Sequence, residues 1–289
     1  MHRIRSVLTV VLAILPLGAS AQGILDPQGP VAVGERQILF NSLGIMLAIV
    51  IPTIVAILAV GFWYRASNSR ARYLPDFNHS GRLEVLVWSI PLMTVLLVGG
   101  VAWLGAHELD PGKALPARMK PVTIQVVSLD WKWLFIYPDE GIASVNQLTI
   151  PVGRPVSFEV TSAGVMNSFF VPQLGGQIYA MSGMLTHLQL QADHAGTYRG
   201  MSAQFSGDGF ADMHFDVDAV DAGSFARWVE AARNEGSALD AGTYTYLTKP
   251  SAGIAPVTYR AVTPGLFDRI VAAEMNHEEI CTRTSMRER

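Results

Sequence analysis

The amino-acid sequence predicts an α-helical membrane hairpin, an all-β domain behind it, and a C-terminal arm of short amphipathic helices. Three observations carry this expectation. Residues 37–64 and 85–107 contain no Asp, Glu, Lys or Arg. From Val122 onward apolar and polar residues alternate with the period of a strand, and after Asp221 the period lengthens to that of a helix. Half of the 289 residues are apolar and only 16% are charged, which is too apolar for an ordinary soluble chain of this size.

The first 21 residues read as a secretory signal. His2, Arg3 and Arg5 supply the basic start, 7–17 the apolar core, and Ala19-Ser20-Ala21 a small-residue cleavage site before Gln22. An uncleaved first membrane helix is the alternative, but the run is short of the roughly 20 residues a span needs, and Pro16 and Gly18 end it.

Residues 22–110 form the expected hairpin, with spans at about 40–64 and 85–106 joined by a loop at 65–83. Each charge-free run is long enough to cross a bilayer. The loop carries Arg65, Arg70, Arg72 and Arg82 against Asp76, an excess that assigns it to the cytoplasmic side. The outer flanks, Glu35 and Arg36 on one side and Glu108 and Asp110 on the other, have no such excess. Trp63, Tyr64 and Trp88 sit near the expected interfaces. The β domain would therefore face outward from the cytoplasm.

Pro111, Pro116 and Pro121 punctuate a linker, and 122–220 is the β domain. Strands are expected at 122–127, 146–150, 156–160, 186–192 and 213–218, each bounded by turn residues. In the arm, 221–289, Ser224 is placed to cap a helix with Phe225, Trp228, Val229 and Ala232 on one face and Gly236 past its end. A Gly/Pro/Thr-rich stretch to about Thr263 leads to a second pattern at Phe267, Ile270, Val271 and Met275. The single cysteine, Cys281, excludes an internal disulfide and any site needing several thiolates. A net charge of −3 excludes a basic field for nucleic acid.

Four strings are specific enough to suggest a family: Arg82-Leu-Glu84-Val-Leu-Val-Trp88 at the second span, Leu129-Asp-Trp131-Lys-Trp133, Val165-Met-Asn167-Ser-Phe-Phe, and Gln177-Ile-Tyr-Ala-Met181. Together they resemble subunit II of bo-type ubiquinol oxidases, a branch of the cytochrome c oxidase subunit II superfamily, from about residue 38 to 220. The resemblance implies a cupredoxin-like Greek-key barrel resting on oxidase subunit I, with smaller subunits III and IV nearby, in a bacterial inner membrane. It implies a complex that oxidises ubiquinol, reduces oxygen to water and pumps protons, with heme and copper in subunit I and no cofactor in this chain.

The same resemblance locates the copper ligands of the cytochrome c oxidase branch at Asn167, Ser202, Ser206, Phe210 and Met213, with Gln204 where a backbone carbonyl would complete the site. Those relatives use His, Cys, Cys, His and Met. Hydroxyls are hard and weakly acidic, a phenyl ring offers no lone pair, and an amide is a poor substitute for imidazole. A metal-free site is expected, with Met213 as core filler and Trp131 and Trp133, the aromatic pair beside the metal in relatives, as buried or interface anchors. Loss of the metal also removes the reason to dock cytochrome c. Glu84 is implied to lie at a proton entrance into subunit I; the bland alternative is an interfacial carboxylate, solvated or paired with Arg82. His187, His194 and His214 are expected to be solvated, and Met166, Met181, Met184 and Met201 to be packing. The rival function is a membrane-tethered cupredoxin-like binding or copper-delivery module outside any oxidase.

Overall fold

The computed structural model describes residues 23–72, 74–116 and 119–272. The signal-like segment 1–21, Met275, Cys281 and the charged tail lie outside them.

Two long helices come first, α1 (Pro30–Trp63) and α2 (Gly81–Glu108). Both are longer than the charge-free runs: α1 begins seven residues earlier, on the side of the β domain, and α2 begins four residues earlier, at the loop end. The helices meet where Ile38 lies on Gly105 and Leu109 on Gly34, small residues that let the backbones approach. Most of their apolar side chains point outward, as a bilayer requires.

Pro30 occupies the first turn of α1, where its missing N–H costs nothing. Gly29 before it touches the Gln191 carbonyl so closely that a Cβ has no room. The Gln28 amide donates to Gln173 O at 2.7 Å, and Asp193 N donates to Gln28 O at 2.8 Å. From the other helix, Pro111 O accepts from Gln189 N at 2.8 Å. The membrane hairpin is thus stitched to one end of the β domain at both of its outer ends.

The β domain is a two-sheet sandwich. One sheet has the order β12–β3–β2–β1–β5–β8, where β1 is Val122–Leu129, β2 Lys132–Tyr137, β3 Ile142–Val145, β5 Val156–Ser162, β8 Thr186–Leu190 and β12 Val257–Tyr259. The other has the order β4–β10–β9–β6–β7, where β4 is Gln147–Pro151, β6 Asn167–Phe170, β7 Ile178–Ala180, β9 Gly196–Ser202 and β10 His214–Val220. β1 and β5 are parallel, as are β4 and β10, and the remaining pairs are antiparallel. The chain changes sheet at Asn146, whose φ of 56° turns β3 into β4. Its side-chain oxygen accepts from Trp133 N at 2.9 Å, which fixes the corner.

Between the sheets Trp133, Phe135, Phe158, Phe169 and Phe215 pack ring against ring, with Phe169 stacked on Phe215 at 5.3 Å and Trp133 edge-on to Phe169 at 5.5 Å. Gly200 gives the Phe215 ring its space. A second core covers the outer face of the first sheet. There Val127, Leu134, Ile136 and Val145 meet Leu239, Leu247, Phe267 and Ile270 of the arm. All six residues of β2 are buried because both of its faces are covered.

The arm holds α3 (Ala222–Asn234), α4 (Ala241–Leu247), a small pair β11 (Ala238–Leu239) and β13 (Ala261–Val262), and helical residues 266–272. The N-cap of α3 is Asp221 rather than Ser224. Its carboxylate accepts from Ser224 N at 2.9 Å and from the Ser224 hydroxyl at 2.6 Å, so Ser224 is the returning third residue of the cap. Gly236 follows the helix with φ of 97°, backed against the Thr258 carbonyl.

Candidate functional site

Register brings the sequence-separated site positions together. Antiparallel pairing of β6 and β9 sets Phe169 opposite Ser202, so Asn167 and Ser202 meet at the end of the second sheet. Both are buried. The Ser202 hydroxyl donates to Asn167 Oδ1 at 2.9 Å and also points to Gln204 O at 3.2 Å. Asn167 Nδ2 donates to Val165 O at 3.2 Å. Backbone bonds brace the pair: Ala203 N to Ser168 O and Ser202 N to Met213 O, both at 3.0 Å.

Ser206, Phe210 and Met213 complete the cluster through the loop between β9 and β10. The Ser206 hydroxyl lies 3.8 Å from Met213 Sδ, and Met213 is buried in the aromatic core. Phe210, in a short 3-10 turn (Phe210–Asp212), packs edge-on to Phe205 at 5.6 Å. Phe205 itself is 72% exposed.

Trp131 closes this loop from the β1–β2 hairpin. It adopts φ of 62°, uncommon for a bulky side chain, and its indole N–H donates to Ser206 O at 3.0 Å. Its ring covers Gly209 so closely that a Cβ there would overlap it. Trp133, two residues on, is fully buried, and its indole nitrogen has no hydrogen-bond partner. The two tryptophans therefore differ: Trp131 clamps the loop from the rim, and Trp133 fills the core.

The Asn167 carboxamide and the Ser202 hydroxyl satisfy each other, and the Ser206 hydroxyl meets only a thioether. A carboxamide, two hydroxyls, a phenyl ring and one thioether do not fit a thiolate-bridged copper pair, whatever their spacing. Among the described residues no three His, Cys, Asp or Glu side chains converge. His187, His194 and His214 are all exposed. Met181 and Met201 are half-buried, but Met166 and Met184 are exposed, which corrects their reading as packing: they lie in the loops before β6 and before β8, outside the inward phase of any strand.

Glu84 stands on the first turn of α2 and meets His79, not Arg82. The His79 Nδ1 to Glu84 Oε1 separation is 2.7 Å, and the side chains are 65% and 56% exposed. Residues two apart on a helix face different directions, whereas His79 precedes the helix and folds back over its first turn.

Sequence reasoning missed Lys132. Its side chain is 1% exposed, and its ammonium donates to Asp130 O at 3.0 Å, Lys249 O at 2.9 Å and the Ser251 hydroxyl at 2.7 Å. Burial pulls its pKa below the usual lysine value, with the nearby Asp130 charge opposing. The signal was available, since a lysine inside an apolar run is rarely buried unless paired.

The family model described as the periplasmic domain of cytochrome c oxidase subunit II matches residues 140–220, and the model described as the COX aromatic rich motif matches 233–278. The chain is 45% identical over 263 residues to cytochrome bo(3) ubiquinol oxidase subunit 2 of Pseudomonas aeruginosa, covering 91% of this chain and 80% of that one. It is 48% identical over 256 residues to ubiquinol oxidase subunit 2 of Acetobacter aceti, covering 88% and 83%. Quinol oxidase subunit 2 of Bacillus subtilis is 38% identical over 248 residues, covering 83% and 77%. Among solved structures, the periplasmic domain of cytochrome oxidase subunit II of Bradyrhizobium japonicum aligns with TM-score 0.39 and 28% identity, covering 42% of this chain and 98% of that one.

Proposed function

The chain belongs to the ubiquinol oxidase subunit 2 family, and from that premise we propose that its β domain is the metal-free, non-catalytic cap of a proton-pumping quinol oxidase. It is a subunit of a terminal quinol oxidase, a membrane oxidoreductase complex with a cupredoxin-like domain in this chain. In the proposed reading quinol reaches subunit I through the membrane. Subunit I holds the heme and copper, and electrons enter there without passing through this chain. Smaller subunits III and IV complete the assembly.

The observation that carries the reading is the Ser202 hydroxyl bonded to Asn167 Oδ1 at 2.9 Å. Polar groups that satisfy each other at those positions leave neither thiolate nor imidazole for a redox metal, and the Met213 thioether alone cannot hold one, so the domain has no use for cytochrome c. What remains is structural: Trp131 and the loops around Phe205 form a shaped end on the sandwich, and the stitched hairpin fixes that end relative to the bilayer.

The arginine-rich loop and the signal-like start support a two-span topology with the β domain in the periplasm. In that topology Glu84 and His79 stand at the cytoplasmic mouth. A carboxylate and an imidazole 2.7 Å apart and open to water can exchange protons with the bulk and pass them inward. We place the proton entrance there.

The test is purification of the native complex in mild detergent. A heme-containing partner should comigrate with this chain, and the preparation should oxidise quinol but not cytochrome c. Isolation without a heme partner would favour a free-standing binding module, and stoichiometric copper in the isolated domain would favour an electron-accepting subunit.

A further inference from the structure

At the loop end of the hairpin, α1, α2 and the segment between them enclose a cleft of about 770 Å³. Its walls are apolar, built from Val60, Leu74, Phe77 and Leu83, and its rim carries Arg65 and Arg72. Leu74, Phe77 and Leu83 are each more than half exposed, an arrangement that water disfavours and lipid tolerates. The cleft begins where the spans end, so its height is that of phospholipid headgroups.

The charges point the same way. Among the described residues, no carboxylate lies within ion-pair distance of Arg65, Arg70, Arg72 or Arg82, because Glu84 is taken by His79. Arg65 is held over the Phe62 ring at 4.1 Å, which orients its guanidinium. Two guanidinium groups at the rim of an apolar cleft match a phosphate with chains attached, since the planar fork binds phosphate oxygens in pairs.

We propose that this cleft binds one anionic phospholipid, with the phosphate between Arg65 and Arg72 and the acyl chains against Val60 and Leu83. The assignment rests on α1 and α2 being membrane spans. It needs no particular partner subunit, and it differs from general attraction of a basic loop to a charged surface by predicting one lipid and two named contacts.

Native mass spectrometry of the full complex, released from nanodiscs of mixed phosphatidylglycerol and phosphatidylcholine, tests it. The intact complex should retain one phosphatidylglycerol and no phosphatidylcholine. The Arg65→Gln/Arg72→Gln variant should hold it roughly 30-fold more weakly, while Arg70→Gln, outside the cleft, should retain it. Phe77→Glu, a change at an exposed loop position, should expel the lipid by filling the cleft with a carboxylate. Equal retention of the zwitterionic lipid, undiminished retention in the double variant, or displacement by millimolar inorganic phosphate would each overturn the assignment. Heme comigration in the same preparation reports separately on the oxidase reading.

Discussion

The Lys132 ammonium donates to the Ser251 hydroxyl at 2.7 Å, so a buried cation at the β1–β2 hairpin ties the sandwich to its C-terminal arm. Asn146 makes a parallel tie, donating from Nδ2 to Ile254 O at 3.0 Å. Both residues also shape the sandwich, one beside Trp131 and the other at the sheet-crossing corner. The arm is therefore built into the domain, and the loop holding Ser206, Phe210 and Met213 leans on the same hairpin through Trp131.

Lys132→Met keeps an unbranched side chain, one atom shorter, and removes the three donated bonds. Hydrogen bonds from a charged group contribute roughly 1.5–3 kcal/mol each, and relief of the buried charge offsets part of that. A net loss of about 1–3 kcal/mol in arm docking is expected. Faster proteolysis within 234–257, with the sandwich core still protected, is the measurement. Unchanged cleavage would show that the apolar contacts hold the arm without the cation.

Lys132 also gives the arm a pH dependence. Its folded pKa lies below the ordinary lysine value, so the unfolded chain binds the extra proton between the two values and stability rises with pH in that window. The sign is the same for Asp221 and Asp240, at the acid end of the range. Ser224 holds the Asp221 carboxyl, and Thr243 the Asp240 carboxyl, below the usual 3.8. Their capping contribution is present above that value and is lost as pH falls through the lower folded ones. Amide protection in α3 and α4, taken relative to intrinsic exchange at each pH, should fall on acidification below about pH 4, and Asp221→Asn should flatten the response in α3 alone.

The paired apolar runs made the two long helices legible, and the strand patterns between turn residues did the same for β1, β4, β5, β8 and β10, five of the thirteen strands among the described residues. β2 was not, because Trp133, Phe135 and Tyr137 face the inner core while Leu134 and Ile136 lie under the arm, which erases the alternation. α4 and β11–β13 sit in a stretch rich in Gly, Pro and Thr, where tertiary contact rather than local preference decides the conformation. Ser224 and Asp221 are both capping residue types, so only geometry separates them. The meeting of Asn167 with Ser202 depends on a strand register that no local period encodes; family spacing pointed to it. His79 escaped notice because nothing local distinguishes a residue that folds back before a helix from one that does not.

Ser202→Ala removes the hydroxyl that satisfies Asn167 Oδ1 and leaves the buried carboxamide oxygen without its donor. A cost of about 1–3 kcal/mol is expected, read as a lowered midpoint in thermal unfolding of the purified complex. Asn167→Leu with Ser202→Ala should recover part of it, because both ends of the bond are then apolar. Neither variant should alter quinol oxidation, and dialysis of the unaltered chain against copper should give no thiolate-to-copper absorption.

Gly29→Ala tests how the hairpin is joined to the sandwich. The added methyl meets the Gln191 carbonyl carbon and oxygen, which are backbone and cannot swing aside. Overpacking of this kind costs about 1–3 kcal/mol. The start of α1 should detach from the 191–193 turn, exposing the 109–116 linker to protease while the sandwich stays folded. An unaltered digestion pattern would mean that the Pro111–Gln189 stitch suffices alone.

Glu84→Gln keeps the size and the hydrogen-bonding capacity of the side chain and removes its ability to carry a proton. If the His79–Glu84 pair is the proton entrance, oxygen reduction and proton uptake should fall together by roughly an order of magnitude. That lies below the ~10²–10⁴-fold a positioned acid or base contributes to a reaction step, because bulk water competes at an exposed site. Glu84→Asp should restore part of the rate, since it keeps a carboxylate one methylene shorter, and His79→Gln should slow uptake less than loss of the carboxylate does. Stopped-flow proton uptake with a pH dye in reconstituted vesicles separates these cases. Wild-type rates in Glu84→Gln would leave the 2.7 Å contact as a surface ion pair at the start of α2 and move the entrance to another subunit.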